Sequence, residues 1–170
     1  MKIAIVTEVI NYHSGARAPL EIAKHLAKLN HKVTIYAYNY LQDYETRNDI
    51  IKNGVSIVIL NKIPIPFIGK YITAFSLFGK LKKSSPEAIA YAGTLPFFLG
   101  SKLTNIPIIL MYHGAQPNAY LEKKNPDEQI TIKDKLLNQI TNIYIYLNNA
   151  ILIYLSTHIV AISKFAAQEV

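Results

Sequence analysis

Residues 1–37, MKIAIVTEVINYHSGARAPLEIAKHLAKLNHKVTIYA, decide the fold. Lys2 to Thr7 is a short run rich in Ile and Val, the pattern of a strand buried on both faces. A polar loop with Ser14 and Gly15 follows. Ala16 to Asn30 reads as a helix, since Pro19 is tolerated in a first turn and Ile22, Ala23, Leu26 and Leu29 recur as one stripe. Asn30-His31 closes it, and Lys32 to Ala37 is a second strand. A strand, a helix and a strand at this spacing form a βαβ unit, with parallel strands and a right-handed crossover.

Outward from that unit the alternation continues. Val55 to Leu60 is a third strand, led in by Gly54. Gly69 to Lys83 is a helix, and Lys80, Lys82 and Lys83 suit the negative end of its dipole. Glu87 to Tyr91 and Pro107 to Tyr112 are two more strands, joined by a helix from Leu95 to Leu103. A loop from His113 to Thr131 precedes a long helix from Lys133 to Leu155. His158 to Ile162 is a sixth strand, and Lys164 to Val170 opens a further helix. The expected architecture is α/β: a doubly wound, Rossmann-like parallel sheet with helices on both faces.

The bulk properties agree. A chain of 170 residues, 51% hydrophobic and 17% charged, suits one domain with a substantial core. The net charge of +7 favours anionic partners: nucleic acid, phosphate-bearing ligands or an acidic membrane surface. The absence of cysteine excludes disulfides and thiolate metal sites. The opening residues turn polar too soon for a signal peptide. Ile143 to Leu155, the longest apolar stretch, is interrupted by Asn148 and Asn149 and is shorter than the ~20 residues of a membrane span. It reads as a deeply buried helix or as one that meets a partner. Lys62 to Lys83 interleaves Phe67, Ile68, Tyr71, Ile72, Phe75 and Phe78 with Lys62, Lys70, Lys80, Lys82 and Lys83. Such a segment either docks on an anionic bilayer or lays its apolar stripe on the sheet with its lysines solvated.

In an open parallel sheet, ligands gather outside the carboxyl ends of the strands. The positions to inspect are Glu8 to Arg17, Ala92 to Thr94, His113 to Gln116 and Ser163. The first βα loop lacks the G-x-G-x-x-G fingerprint, and no G-x-x-x-x-G-K-[ST] or G-x-S-x-G occurs. These gaps argue against a classical dinucleotide site, a P-loop nucleotidase and an α/β-hydrolase.

Four places resemble the family 4 glycosyltransferases, retaining enzymes of the GT-B fold. The first strand runs into Ser14-Gly15-Ala16, where the family has a pair of glycines. Leu29-Asn30-His31-Lys32-Val33-Thr34-Ile35 is similar to the family's approach to strand two. Pro107 to Gly114, PIILMYHG, resembles its strand ending in His-Gly, and His158 to Lys164 its strand-then-serine signature. Three positions depart: Ser14 replaces a glycine, Tyr91-Ala92 stands where many members have a histidine, and His158 where aspartate is common.

The resemblance implies the amino-terminal, acceptor-side domain of an enzyme that moves a sugar from a nucleotide-sugar donor to a hydroxyl. It implies no metal dependence and no cofactor, the nucleotide sugar being a substrate. The donor-binding domain, with the family's paired glutamates, is expected outside residues 1–170, so this chain alone is expected to be inactive. The basic aromatic segment suggests a lipid-linked or cell-envelope glycan as acceptor. A cytoplasmic protein, peripheral on the inner face of the cell membrane, is expected.

The candidate catalytic residue is His113, a hydrogen-bonding or proton-handling group beside the transferred sugar; its alternative is an ordinary loop histidine. Gly15 is a candidate for close backbone approach to the donor's phosphates at a helix amino terminus, or otherwise serves turn geometry, and Gly114 is a candidate for leaving the crevice uncrowded beside the substrate. Glu8 and Arg17 border the same crevice and can meet acceptor hydroxyls or phosphate, or stand as solvated charges. Ser163 is either a ligand contact or a helix N-cap. The competing reading of the whole chain is a stand-alone Rossmann-like module for a phosphorylated or nucleic-acid ligand. Dispersed lysines and the lack of a nucleic-acid motif weigh against nucleic acid.

Overall fold

The computed structural model describes residues 1–12, 17–38, 43–61, 63–65, 68–112 and 130–161. Six strands, β1 (Lys2–Thr7), β2 (Lys32–Tyr38), β3 (Ser56–Leu60), β4 (Ala88–Ala92), β5 (Ile108–Tyr112) and β6 (His158–Ala161), form one sheet. Its order is β3-β2-β1-β4-β5-β6, and every pairing is parallel. The chain winds outward from β1 to β3, returns to β4 and winds outward again. Right-handed crossovers therefore put helices on both faces. This is the doubly wound, Rossmann-like α/β sheet that the alternation of apolar runs predicts.

The helices α1 (Arg17–Lys28) and α2 (Tyr44–Lys52) cover one face, where Leu20, Ala23 and Ile50 pack on Ile5, Val33, Ile35 and Ala37. The helices α3 (Ile68–Ser84), α4 (Leu95–Lys102) and α5 (Ile132–Leu155) cover the other. There Leu77, Leu81, Phe97, Phe98 and Leu152 pack on Val6, Tyr36, Tyr91, Ile108 and Leu110. A Cβ on Gly100 would lie 2.5 Å from the Ala74 carbonyl oxygen, so glycine is what lets α4 close on α3. Strand bounds differ from the sequence reading by a residue or two, as expected where ladders fray.

Three expectations need correction. The sequence reading passes from β2 to β3 without α2, a nine-residue helix that buries only Thr46 and Ile50. So narrow a stripe leaves little periodicity, although Asp43 caps the helix by accepting from the Thr46 N–H at 3.1 Å. The stripe of α1 holds at Ala23, Ile22 and Leu26, which lie in or against the core beside Leu20, whereas Leu29 lies past the helix end and is 68% exposed. Finally, α5 is not deeply buried. Leu152 is its one buried apolar residue, and its other buried positions are Asp134 and Asn138. The expected helix from Lys164 and the residue Ile162 of the last strand lie outside the described residues.

Candidate functional site

The order of the sheet reverses between β1 and β4, and a crevice opens at such a switch point outside the carboxyl ends of the two strands. The pairing register puts Thr7 level with Ala92. The next residues, Glu8 and Gly93, are therefore the first beyond the sheet on either side of the crevice. The backbone carbonyl of Glu8 accepts from the Tyr38 N–H at 3.0 Å, which holds the residue in line with β1.

Glu8 is half-buried, and its Oε1 is buried without a hydrogen-bond partner. A carboxylate oxygen removed from water and left unpaired costs free energy, and this one stands at the mouth of a parallel sheet. A Cβ on Gly93 would lie 3.1 Å from Tyr91 Oη, so a larger residue would press on the buried tyrosine, while Glu8 Cγ at 3.6 Å would be in ordinary contact.

Tyr91 is fully buried, its ring edge-on to Phe98 at 5.2 Å, and its hydroxyl donates to the Thr94 carbonyl oxygen. Burial first, and then the charge of Glu8, hold its phenol well above the ordinary range, so the group stays a neutral donor. Thr94 occupies the N-cap position of α4 with extended backbone (φ −92°, ψ 158°), yet its side chain makes no capping bond. Its Oγ1 is buried and unpartnered. A hydroxyl at this position ordinarily accepts from the first helical turn. Here it is left for something else. Beyond the ends of two adjacent strands the fold thus holds two buried polar atoms without a partner, the Glu8 carboxylate oxygen, an acceptor, and the Thr94 hydroxyl, a donor and acceptor.

A second network fixes the outgoing loop. Tyr12 donates to Asp49 Oδ2 at 2.7 Å, and Lys24 reaches the same oxygen at 3.0 Å and Glu21 at 2.9 Å. The Lys24 ammonium also lies 5.0 Å from the centre of the Tyr12 ring. The Tyr12 hydrogen bond, then that of Lys24, lowers the Asp49 pKa, while Tyr12, Glu21 and Asp49 in that order raise that of Lys24. Tyr12 is in this way pinned to α1 and α2.

Of the residues singled out from sequence, Glu8 is in the crevice and Arg17 is exposed at the first position of α1. His113, Gly114, Gly15 and Ser163 lie outside the described residues. Thr94 lies in the stretch Ala92 to Thr94 that the sequence marks for inspection by position alone, and Tyr91, two residues before Gly93, is met there only as a departure from the family's pattern. A separate cavity of about 160 Å³, lined by Lys2, Lys32, Tyr36 and Ser84 among others, lies at the opposite, amino-terminal edge of the sheet. Among the described residues, no group of three or more potential metal ligands occurs, and no helix is long and apolar enough to cross a membrane.

The sequence profile described as Glycosyltransferase Family 4 matches residues 15–170. No curated protein matches the chain. Among solved structures, MurG of Acinetobacter baumannii is 14% identical with a TM-score of 0.58, over 97% of this chain and 42% of its own. Anabaena HepE, in complex with UDP and glucose, is 11% identical with a TM-score of 0.60, over 99% and 40%. A putative UDP-N-acetylglucosamine 2-epimerase from Listeria monocytogenes is 10% identical with a TM-score of 0.62, over 98% and 40%. At such identities the likeness is one of fold. The chain spans about two fifths of the length of each of these structures.

Proposed function

The chain belongs to glycosyltransferase family 4, and we propose from that premise that it is the acceptor-side domain of an enzyme transferring a sugar from a nucleotide-sugar donor to a hydroxyl. The observation that carries the proposal is the pair of unpartnered polar groups, Glu8 Oε1 and Thr94 Oγ1, at the switch point of the sheet. In the reaction the acceptor oxygen bonds to the anomeric carbon, the bond from that carbon to the donor phosphate breaks, and the acceptor hydroxyl gives up its proton. Glu8 and Thr94 hydrogen-bond acceptor hydroxyls and set the direction of approach. His113 assists beside the transferred sugar. Gly15 and Gly114 let backbone come close to substrate, and Arg17 and Ser163 complete the rim. Family membership supports a retaining reaction, with the donor and its paired glutamates held by a second domain. It also supports the expectation that this chain alone turns nothing over.

The basic, aromatic α3 supports an acceptor that is lipid-linked or part of a cell-envelope glycan, and contact with an anionic membrane. The experiment is to supply the complete protein with nucleotide sugars and a panel of hydroxyl acceptors and to weigh the products by mass spectrometry. A glycosylated acceptor together with free nucleoside diphosphate is expected. Epimerisation of the nucleotide sugar without any acceptor would overturn the reading.

A further inference from the structure

The helix α5 is apolar on both sides. Its inward side sets Leu152, buried in the core, and Ile145, Ile153 and Leu155, half-buried, among Asp134, Asn138, Thr141, Asn142, Asn148 and Asn149, each buried or half-buried. Asp134 is absorbed by a capping box with Thr131, accepting from its N–H at 2.9 Å and its hydroxyl at 2.6 Å. The outward side carries Leu136, Ile140, Ile143, Leu147, Ile151 and Tyr154, spaced by four, three, four, four and three residues. That spacing makes one continuous stripe on a helix of 3.6 residues per turn. Each of these six is exposed, from 40% at Ile151 to 86% at Tyr154. A stripe about 30 Å long and apolar throughout marks a surface that meets something other than water.

The neighbouring helices say what. α3, α4 and α5 lie on the same face of the sheet and run in the same direction, because each returns the chain to a parallel strand. Their outer surfaces form one layer. α3 adds Ile68, Tyr71, Ile72 and Phe75, and α4 adds Leu99, all exposed. Lys80, Lys82 and Lys83, at the last turns of α3, and Lys133 and Lys135, at the first turn of α5, are exposed at opposite ends of that layer. Against these lysines the three helices carry one carboxylate, Asp134, and it is only 5% exposed. The acidic residues Glu21, Glu45 and Asp49 all belong to α1 and α2 on the other face.

We infer that this helical layer is a docking surface for an anionic bilayer, with the α5 stripe as the part that enters the acyl boundary and the lysines as the part that meets phosphate headgroups. The chemistry is that of an interfacial helix: aliphatic side chains without charge from Leu136 to Leu155, tyrosines 144, 146 and 154 at the depth of the headgroups, and cations at the margins. A second copy of the chain would bring the same lysines against one another, and a charged layer without counter-charges is a poor isologous interface. The inference deepens the proposed membrane contact and does not depend on glycosyl transfer.

The test is flotation of the chain with vesicles of mixed phosphatidylglycerol and phosphatidylcholine, against phosphatidylcholine alone. Binding to the anionic vesicles that falls with added salt is expected. Ile143→Glu combined with Leu147→Glu lowers the vesicle partition coefficient at least about tenfold, since even one large aliphatic side chain is worth that much on burial. Both positions are exposed, so circular dichroism and the thermal midpoint should be unchanged. Should the pair unfold the chain, Tyr154→Ser, at the most exposed position of the stripe, gives the same reading with a smaller drop. Undiminished binding by a folded double variant would overturn the assignment to α5 while leaving the enzymatic reading intact. Failure of the unaltered chain to float would overturn the docking surface altogether. A concentration-dependent dimer abolished by the double substitution, with no flotation, would assign the stripe to a second copy instead.

Discussion

Replacing Glu8 by methionine should make the chain more stable and the enzyme worse. The side chains are close in length and volume, so the swap removes the charge with little change in packing. What the fold gains is relief from an unpaired buried oxygen. Such a group costs about 1–3 kcal/mol, and the half-buried setting of Glu8 puts it toward the lower end, about 1–2 kcal/mol. For a chain of this size that corresponds to a rise in thermal midpoint of about 2–8 °C. What the enzyme loses is a charge-assisted hydrogen bond to the acceptor, worth about 10- to 100-fold in kcat/KM. The midpoint is read by circular dichroism on the chain and the rate by product formation in the complete enzyme. Opposite movement of the two quantities is the signature of a residue kept for binding at the expense of stability. A Glu8→Met chain that loses more than about 1 kcal/mol while turnover stays normal would show that the carboxylate has a structural partner, and would refute the reasoning.

Three further outcomes are expected. Gly93→Ala forces a Cβ to 3.1 Å from Tyr91 Oη, which should cost about 1–3 kcal/mol in denaturant titration as the buried tyrosine gives way. Asp49→Asn should cost about 0.5–1 kcal/mol at neutral pH, the scale of an exposed, hydrogen-bonded ion pair. Because folding lowers the Asp49 pKa, its contribution is present above the ordinary carboxylate value of 3.8 and is lost as pH falls below it, so titration of both proteins to acid should make their stabilities converge. His113→Ala in the complete enzyme should lower kcat by about 10²–10⁴-fold with an unchanged thermal midpoint, the scale of a positioned acid-base or polarising group.

The fold was legible where burial is two-sided. Strands such as β1 and β5, covered on both faces by helices, must be apolar throughout, and their Ile- and Val-rich runs announce them. α2 escaped because one buried isoleucine and one threonine make no stripe. α5 was found as a helix, but its orientation was not legible. Periodicity says that an apolar stripe exists and not which way it faces, and here Leu152, Ile153 and Leu155 share the sheet side with asparagines while a longer apolar stripe faces outward. Within the site, Glu8 could be read from its place directly after β1. The position of Thr94 could be read in the same way but not its state, since a threonine before a helix ordinarily caps it and here the capping bond is missing. The demand for glycine at 93 likewise comes from the way the Tyr91 ring, two residues back, folds its hydroxyl over that position, which no sequence pattern records.

The central claim is that the switch-point crevice of this chain receives the acceptor rather than the donor. Steady-state kinetics of Thr94→Val in the complete enzyme, with donor and acceptor varied separately, test it most directly. Valine keeps the shape of threonine and deletes a buried hydroxyl that has no partner in the fold, so stability should hold or rise slightly. The account predicts that the acceptor KM rises about 5- to 10-fold, as expected for a lost neutral hydrogen bond, with the donor KM unchanged. A rise in donor KM with an unchanged acceptor KM would contradict it.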